Sequence, residues 1–217
     1  EQALEKAVAC GATVLYPSTV EVYGNACGDD DFTEDYTGKL NLATSRACYT
    51  ESKRLSEALC QAYIAERGAQ VKIARLSRVF GPTMLMSDSK ASSQFIQKAL
   101  AVEDIVLKSK GEQLFSYTYV ADAVGAMLHV LLHGENGVPY NISNELCNVR
   151  LKDFAGLCAE WAHKKVVFEL PSETERKGFS IAMRAVLDNT RLKGLDWKPQ
   201  YTMKDAVCRT LSILSHE

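Results

Sequence analysis

No run of apolar residues in this 217-residue sequence is long enough to cross a bilayer, and no stretch at its start has the make-up of a signal peptide. Paired cysteines are missing as well. The seven cysteines (Cys10, Cys27, Cys48, Cys60, Cys147, Cys158 and Cys208) stand singly, with no Cys-x-x-Cys and no metal-ligand spacing. An odd, dispersed set of this size argues against a disulfide framework and reads as reduced thiols in a cytoplasmic protein. Histidine is scarce and scattered, at positions 129, 133, 163 and 216. His129 and His133 share a helix face but have no third ligand nearby, so they read as helix-surface packing and no metal is expected. Charge of one sign is also lacking: the net charge of −2 suggests neither nucleic acid nor an anionic membrane as a partner. Repeats, low-complexity segments and a recognisable linker are absent. What remains is an ordinary globular composition, 47% hydrophobic and 24% charged, sufficient for one large domain or two small ones.

Along the chain, Glu1 to Cys10 reads as a helix already in progress, stopped by Gly11 and followed by the apolar strand Thr13-Val14-Leu15-Tyr16. A polar loop follows over residues 24–40. From about Cys48 to Arg67 an amphipathic helix is predicted, with Leu55, Leu59, Tyr63 and Ile64 at helical spacing. Gly68 ends it, Val71 to Leu76 reads as a buried strand, and Gly81-Pro82 breaks the chain. Strand, helix and strand in alternation predict an α/β protein with a parallel sheet covered by helices on both faces. Beyond Pro82 the pattern predicts helices near 91–101, 120–132, 151–162 and 202–215. Strands are predicted near 104–107, 115–120, 137–142 and Val166 to Leu170.

The sharpest constellation is Tyr49-Thr50-Glu51-Ser52-Lys53, at the start of the long helix. Four residues make about one helical turn, so the phenol and the ammonium project from one face. A nearby ammonium favours phenolate, which makes a tyrosine in such a pair a usable general acid/base near neutral pH. With nine tyrosines in the chain a chance pairing is common, and a surface helix pair is the bland alternative. Context favours the chemical reading. Upstream, a strand runs straight into Ser18-Thr19, and downstream Arg75 to Pro82 closes another strand. Hydroxyls at the carboxyl ends of parallel strands sit where open α/β sheets bind their ligands.

Successive segments resemble landmarks of the extended short-chain dehydrogenases that modify nucleotide sugars. These are Ser18-Thr19-Val20-Glu21-Val22-Tyr23-Gly24, the Tyr-x-x-x-Lys, Ala74 to Pro82, Tyr117-Thr118-Tyr119-Val120-Ala121-Asp122-Ala123, and Tyr140-Asn141-Ile142. Within that family the resemblance is strongest to UDP-glucuronate decarboxylases and dTDP-glucose 4,6-dehydratases, and it rests on Glu21 and on Tyr49 to Pro82. It implies an NAD cofactor that takes a hydride from the sugar's C4, giving a 4-keto intermediate before epimerisation, dehydration or decarboxylation. It implies that Tyr49 takes the C4 hydroxyl proton, that Lys53 assists Tyr49 and holds the nicotinamide ribose, and that Thr19 bonds the C4 oxygen. Glu21 would assist the second step. By the same resemblance Ser18 and Pro82 join Tyr49 and Lys53 around the cofactor, and Arg78, Lys90, Gln94 and Lys108 face the substrate. A homodimer is implied too. Residues 1–83, with 115–145 returning, would form the C-terminal half of an incomplete doubly wound Rossmann domain, and 84–217 mainly a smaller α/β substrate-binding lobe.

The chain departs from that pattern in four ways. No Gly-x-Gly-x-x-Gly occurs, nor the acidic residue expected about 20 residues after it. In the family these precede the point where this chain begins, so a fragment is the simplest reading. The expectation is that these residues alone neither hold NAD tightly nor turn over. Val20 stands where dehydratases carry an Asp and decarboxylases a Ser, and a valine cannot donate a proton. Arg78 stands where decarboxylases carry Asn. Phe115 replaces an Arg that grips the diphosphate, and Lys108 an aromatic beside the base. Retained Thr19, Tyr49 and Lys53 favour an enzyme. The altered phosphate side leaves open a catalytically silent NAD(P)-binding sensor or scaffold on the same fold.

Overall fold

A computed structural model of the chain describes residues 1–24, 30–45, 47–169 and 183–216. Cys27 and Leu170, the far end of the strand expected from Val166, lie outside the described residues. The helices are α1 (Gln2–Cys10), α2 (Ala47–Arg67), α3 (Ala91–Leu100), α4 (Val120–His133), α5 (Leu151–Ala162), α6 (Thr190–Lys193) and α7 (Met203–Leu214). The strands are β1 (Thr13–Thr19), β2 (Gln70–Leu76), β3 (Arg78–Phe80), β4 (Ile105–Leu107), β5 (Leu114–Tyr119), β6 (Pro139–Ile142), β7 (Asn148–Arg150), β8 (Val166–Phe168) and β9 (Arg184–Ala185). Two compact units result. One holds Glu1–Ser77, Ala123–Ser143 and Val186–Lys198, the other Arg78–Asp122, Asn144–Ala185 and Pro199–Glu217. Among the described residues no helix is long and apolar enough to cross a membrane.

The first unit is built on a parallel sheet in the order β1-β2-β6. Its strands are apolar on both faces because helices cover both, as the alternating pattern predicts. Leu4 of α1 and Cys60, Leu59, Tyr63 and Ile64 of α2 pack with Val14, Tyr16, Val71 and Ile73. Ala123, Ala126 and Val130 of α4 pack with Leu15, Ala74, Leu76, Tyr140 and Ile142, where Leu192 and Trp197 also lie. Val71, Ile73 and Ile142 have almost no exposure, and each fully buried aliphatic side chain contributes about 1.5–3 kcal/mol. Gly11 turns the chain from α1 into β1 at a φ of 65°, in the left-handed region that a side chain disfavours.

One expectation needs correction. Leu55 is 70% exposed and is not part of the buried face of α2. It precedes Ile64 by nine residues, and at about 100° per residue that places the two on opposite sides of the helix. Few side chains of α2 are fully buried: only Ala47, Thr50 and Cys60.

In the second unit β5 pairs in parallel with β3 and β9 and antiparallel with β7, while β4 and β8 form a separate parallel pair. Its centre is aromatic. Phe80, Phe95, Tyr117 and Phe154 meet mainly edge-to-face, with Tyr117 and Phe154 centroids 5.0 Å apart at 90°. Gly81 must lack a side chain, because a Cβ there would lie 2.4 Å from a Val120 methyl. Asp122, buried in the first turn of α4, accepts from the Asn144 side chain at 2.9 Å and from the Gln200 backbone at 3.0 Å.

Candidate active site

In the first unit β1 ends on Pro17-Ser18-Thr19 and passes into a 3-10 turn, Val20–Tyr23. Thr19 caps that turn, its hydroxyl accepting from the Glu21 N–H at 3.3 Å. Glu21 itself is half-buried within the turn. Helix α2 returns antiparallel to the strand, so its N-terminal turns lie toward the strand's carboxyl end. There the Lys53 ammonium donates to the Pro17 carbonyl at 2.8 Å and stands 5.2 Å from the Tyr16 ring centre. Tyr49, one turn further out, is 53% exposed. Lys53 is thus brought to the Pro17–Thr19 strand end. Tyr49 shares its helix face, and the hydroxyl of Tyr49 makes no hydrogen bond among the described residues.

Ser18, expected beside the cofactor, is buried, and its hydroxyl donates to the Glu57 carboxylate. Glu57 lies one turn beyond Lys53 and is only 12% exposed at its side chain. Arg75, the register partner of Ser18 on β2, grips the same carboxylate. Its Nη2 donates at 2.7 Å and its Nε at 3.1 Å. The remaining nitrogen of Arg75 donates to the Tyr23 hydroxyl at 3.1 Å and to the Glu34 carbonyl at 2.7 Å. Burial opposes the Arg75 charge, but the interactions with Glu57 and Tyr23 together outweigh it and raise the guanidinium above its ordinary value. Tyr23 donates onward to Asn141 at 2.6 Å. Burial pushes the Tyr23 phenol up to about 12, against the pull of Arg75. The Asn141 side chain then donates to the Phe32 and Asp188 carbonyls, both at 2.8 Å.

Glu57, Arg75, Tyr23 and Asn141 were not singled out as a network in the sequence. One signal was available: an arginine inside the apolar run Val71 to Leu76 must find an anionic partner once the strand is buried.

The other expected residues lie in the second unit. Arg78 leaves β3 with its guanidinium 3.7 Å from the Phe115 ring centre, so the two departures from the family pattern touch each other. Lys90 pairs with Asp88 at 3.2 Å and is 78% exposed at its side chain. Gln94 donates to the Ser89 carbonyl at 2.7 Å, which places it with Lys90 at the start of α3. Lys108 is exposed just after β4, and Pro82 is half-buried after Gly81.

Parallel strands ending in hydroxyls, with a helix carrying Tyr and Lys one turn apart, define a Rossmann-type α/β unit of the short-chain dehydrogenase kind. Residues 1–143 match the NAD dependent epimerase/dehydratase family, and the chain belongs to it. It is 31% identical over 211 residues to UDP-glucuronic acid decarboxylase 1 of Danio rerio, covering 95% of this chain and 48% of that protein. To the Xenopus tropicalis decarboxylase 1 it is 38% identical over 134 residues, 62% of this chain and 31% of the relative. The chain therefore spans about half, or less, of the length of these relatives. Among solved structures it is similar to UDP-glucose 4-epimerase of Thermotoga maritima, with a TM-score of 0.82, 21% identity, and coverage of 96% of this chain and 65% of that one. A dTDP-glucose 4,6-dehydratase of Bacillus anthracis, in complex with NAD, has a TM-score of 0.80 at 21% identity, covering 97% and 64%. These likenesses establish the fold.

Proposed function

We propose that the full-length protein oxidises a nucleotide sugar at C4 with NAD and then decarboxylates or epimerises it. The observation that supports this most is the Lys53 ammonium held at the Pro17 carbonyl, because it draws the Tyr-x-x-x-Lys helix to the strand end that carries Thr19. The donor set suits a nicotinamide ribose. Lys53 has three donors and spends one on Pro17, leaving two for ribose hydroxyls. NAD, when bound, accepts the hydride that leaves C4.

Tyr49 takes the C4 hydroxyl proton as that hydride departs, so the carbon loses two electrons and the oxygen becomes a ketone. Lys53, one helical turn from Tyr49, assists it in that proton transfer, and Thr19 offers a hydroxyl to the C4 oxygen. Val20 supplies no proton, so loss of water across C5 and C6 lacks its acid. Decarboxylation asks least of the protein, because a ketone β to a carboxylate already makes carbon dioxide a leaving group. Glu21 serves as a base or an orienting group in that second step. On the substrate side we assign anion recognition to Arg78, backed by Phe115, with Lys90, Gln94 and Lys108 as further polar contacts. By family resemblance the intact protein is a homodimer, and its singly dispersed cysteines suit the reducing cytoplasm.

The test gives the full-length protein NAD with UDP-glucuronate, UDP-glucose and dTDP-glucose in turn, and separates the products by chromatography before weighing them. A decarboxylated sugar or a C4 epimer is expected. Clean formation of a 4-keto-6-deoxy sugar would overturn the argument from Val20. Silence with every substrate would favour a non-catalytic NAD(P)-binding role.

A further inference from the structure

Helix α2 meets the sheet with few fully buried apolar side chains. Its polar anchors fall on a regular stripe. Lys53 donates to the Pro17 carbonyl at 2.8 Å, Glu57 is bonded by Ser18 and Arg75, and Gln61 donates to the Gly137 carbonyl at 2.6 Å. These residues are four apart, and Tyr49 is the next member outward. Four residues cover one turn and about 40° beyond it, so the stripe drifts slowly around the face that meets the strands.

Apolar contacts are non-directional and leave a helix free to slide or roll on a sheet by a fraction of a turn. A bidentate guanidinium–carboxylate pair is directional and fixes both distance and plane. A buried ion pair is also a poor way to gain stability alone, because apolar residues of the same volume often serve as well. The Glu57–Arg75 pair, 12% and 13% exposed at its side chains, therefore calls for a positional reason. Its location supplies one. Arg75 and Ser18 are register partners on adjacent strands, and Glu57 closes both onto the helix one turn from Lys53.

We infer that Glu57 is a positioning residue: clamped by Arg75 and Ser18, it sets the height and roll of α2 so that Lys53 and Tyr49 stand at the carboxyl end of β1. Its catalytic consequence rests on the Tyr49–Lys53 reading above, whereas the placement of Lys53 does not.

The experiment uses the full-length protein and its Glu57→Ala, Glu57→Asp and Ser18→Ala variants, the last keeping the ion pair should Glu57→Ala fail to fold. Lysines are acylated for short times with an N-hydroxysuccinimide ester of acetate and mapped by mass spectrometry. The rate at Lys53 is divided by that at the exposed Lys6. Glu57→Ala should raise this ratio roughly tenfold, about the effect of losing one charge-assisted hydrogen bond, with Ser18→Ala intermediate and Glu57→Asp largely restored. On whichever substrate turns over, Glu57→Ala should lower kcat roughly tenfold to a hundredfold with KM little changed. An unchanged Lys53 ratio in Glu57→Ala and Ser18→Ala, or a rise shared by all lysines, would overturn the inference. Failure of every sugar nucleotide would instead overturn the proposed function, and the Lys53 ratio would still decide this point.

Discussion

Ser18 and Arg75 face each other across the pairing of β1 with β2, and both reach the carboxylate of Glu57 on α2. Two strands and a helix are tied at one buried point, one turn of helix from Lys53. Stability and the placement of the candidate catalytic pair therefore depend on the same residues.

Arg75→Met should destabilise the protein by roughly 3 kcal/mol, because it leaves a buried carboxylate without its cation. Urea unfolding measures this, and Arg75→Met combined with Glu57→Leu should lose less than the two singles summed. A loss below about 1 kcal/mol for Arg75→Met would mean that the pair is solvent-screened.

Ile142 has no exposure in the packing between α4 and the sheet. Ile142→Ala should cost about 2–5 kcal/mol. Leu55→Ala, at a site 70% exposed, should stay within about 0.5 kcal/mol. Comparable losses at the two sites would contradict the assigned faces of α2 and the sheet.

Much of this was legible in the sequence. The stop at Gly11 marked the end of α1, and the spacing of apolar residues led to an α2 expected from Cys48 to Arg67, against Ala47–Arg67 in the structure. The Tyr49–Lys53 spacing was visible because one helical turn is a local property. The network around Glu57 was not, because it depends on strand register. Tyr23 and Asn141 are 118 residues apart and meet only once β1, β2 and β6 are aligned. Leu55 was misassigned because a helical repeat can be drawn through either side of a weakly amphipathic helix. Strand β9 has two residues and can show no period at all.

Glu34 supplies a pH test. Burial raises its carboxyl above the ordinary value of 4.5, against the Asn141 backbone bond and the Arg191 charge, which lower it. Across the window between 4.5 and that raised value the folded state holds a proton the unfolded chain has released, so stability falls as pH rises. Glu34→Gln removes this titration. The Tm of the variant minus that of the wild type should therefore grow as pH rises above about 4.5 and level off once the folded-state carboxyl has also ionised. A flat or shrinking difference would contradict the assignment.

Thiol reactivity should follow burial. Cys10 and Cys48 are exposed, whereas Cys60, Cys147 and Cys158 are buried. Burial pushes the Cys147 thiol up to about 12, which suppresses its thiolate. In the native protein a disulfide reagent should label Cys10 and Cys48 first, and mass mapping should find Cys147 and Cys158 unlabelled until denaturant is added. Early labelling of Cys147 would contradict the packing around it.

The most direct test of the proposed chemistry is hydride transfer in the full-length protein. UDP-glucuronate, UDP-glucose and dTDP-glucose are mixed in turn with the wild type and with Tyr49→Phe. Single-turnover reduction of bound nicotinamide is followed by its near-ultraviolet absorbance. The wild type should reduce nicotinamide with at least one of these sugars, and Tyr49→Phe should slow that step roughly a hundredfold to ten-thousandfold, as removal of a general base does. Equal rates in the two proteins, or no reduction with any sugar in the wild type, would contradict the role given to Tyr49.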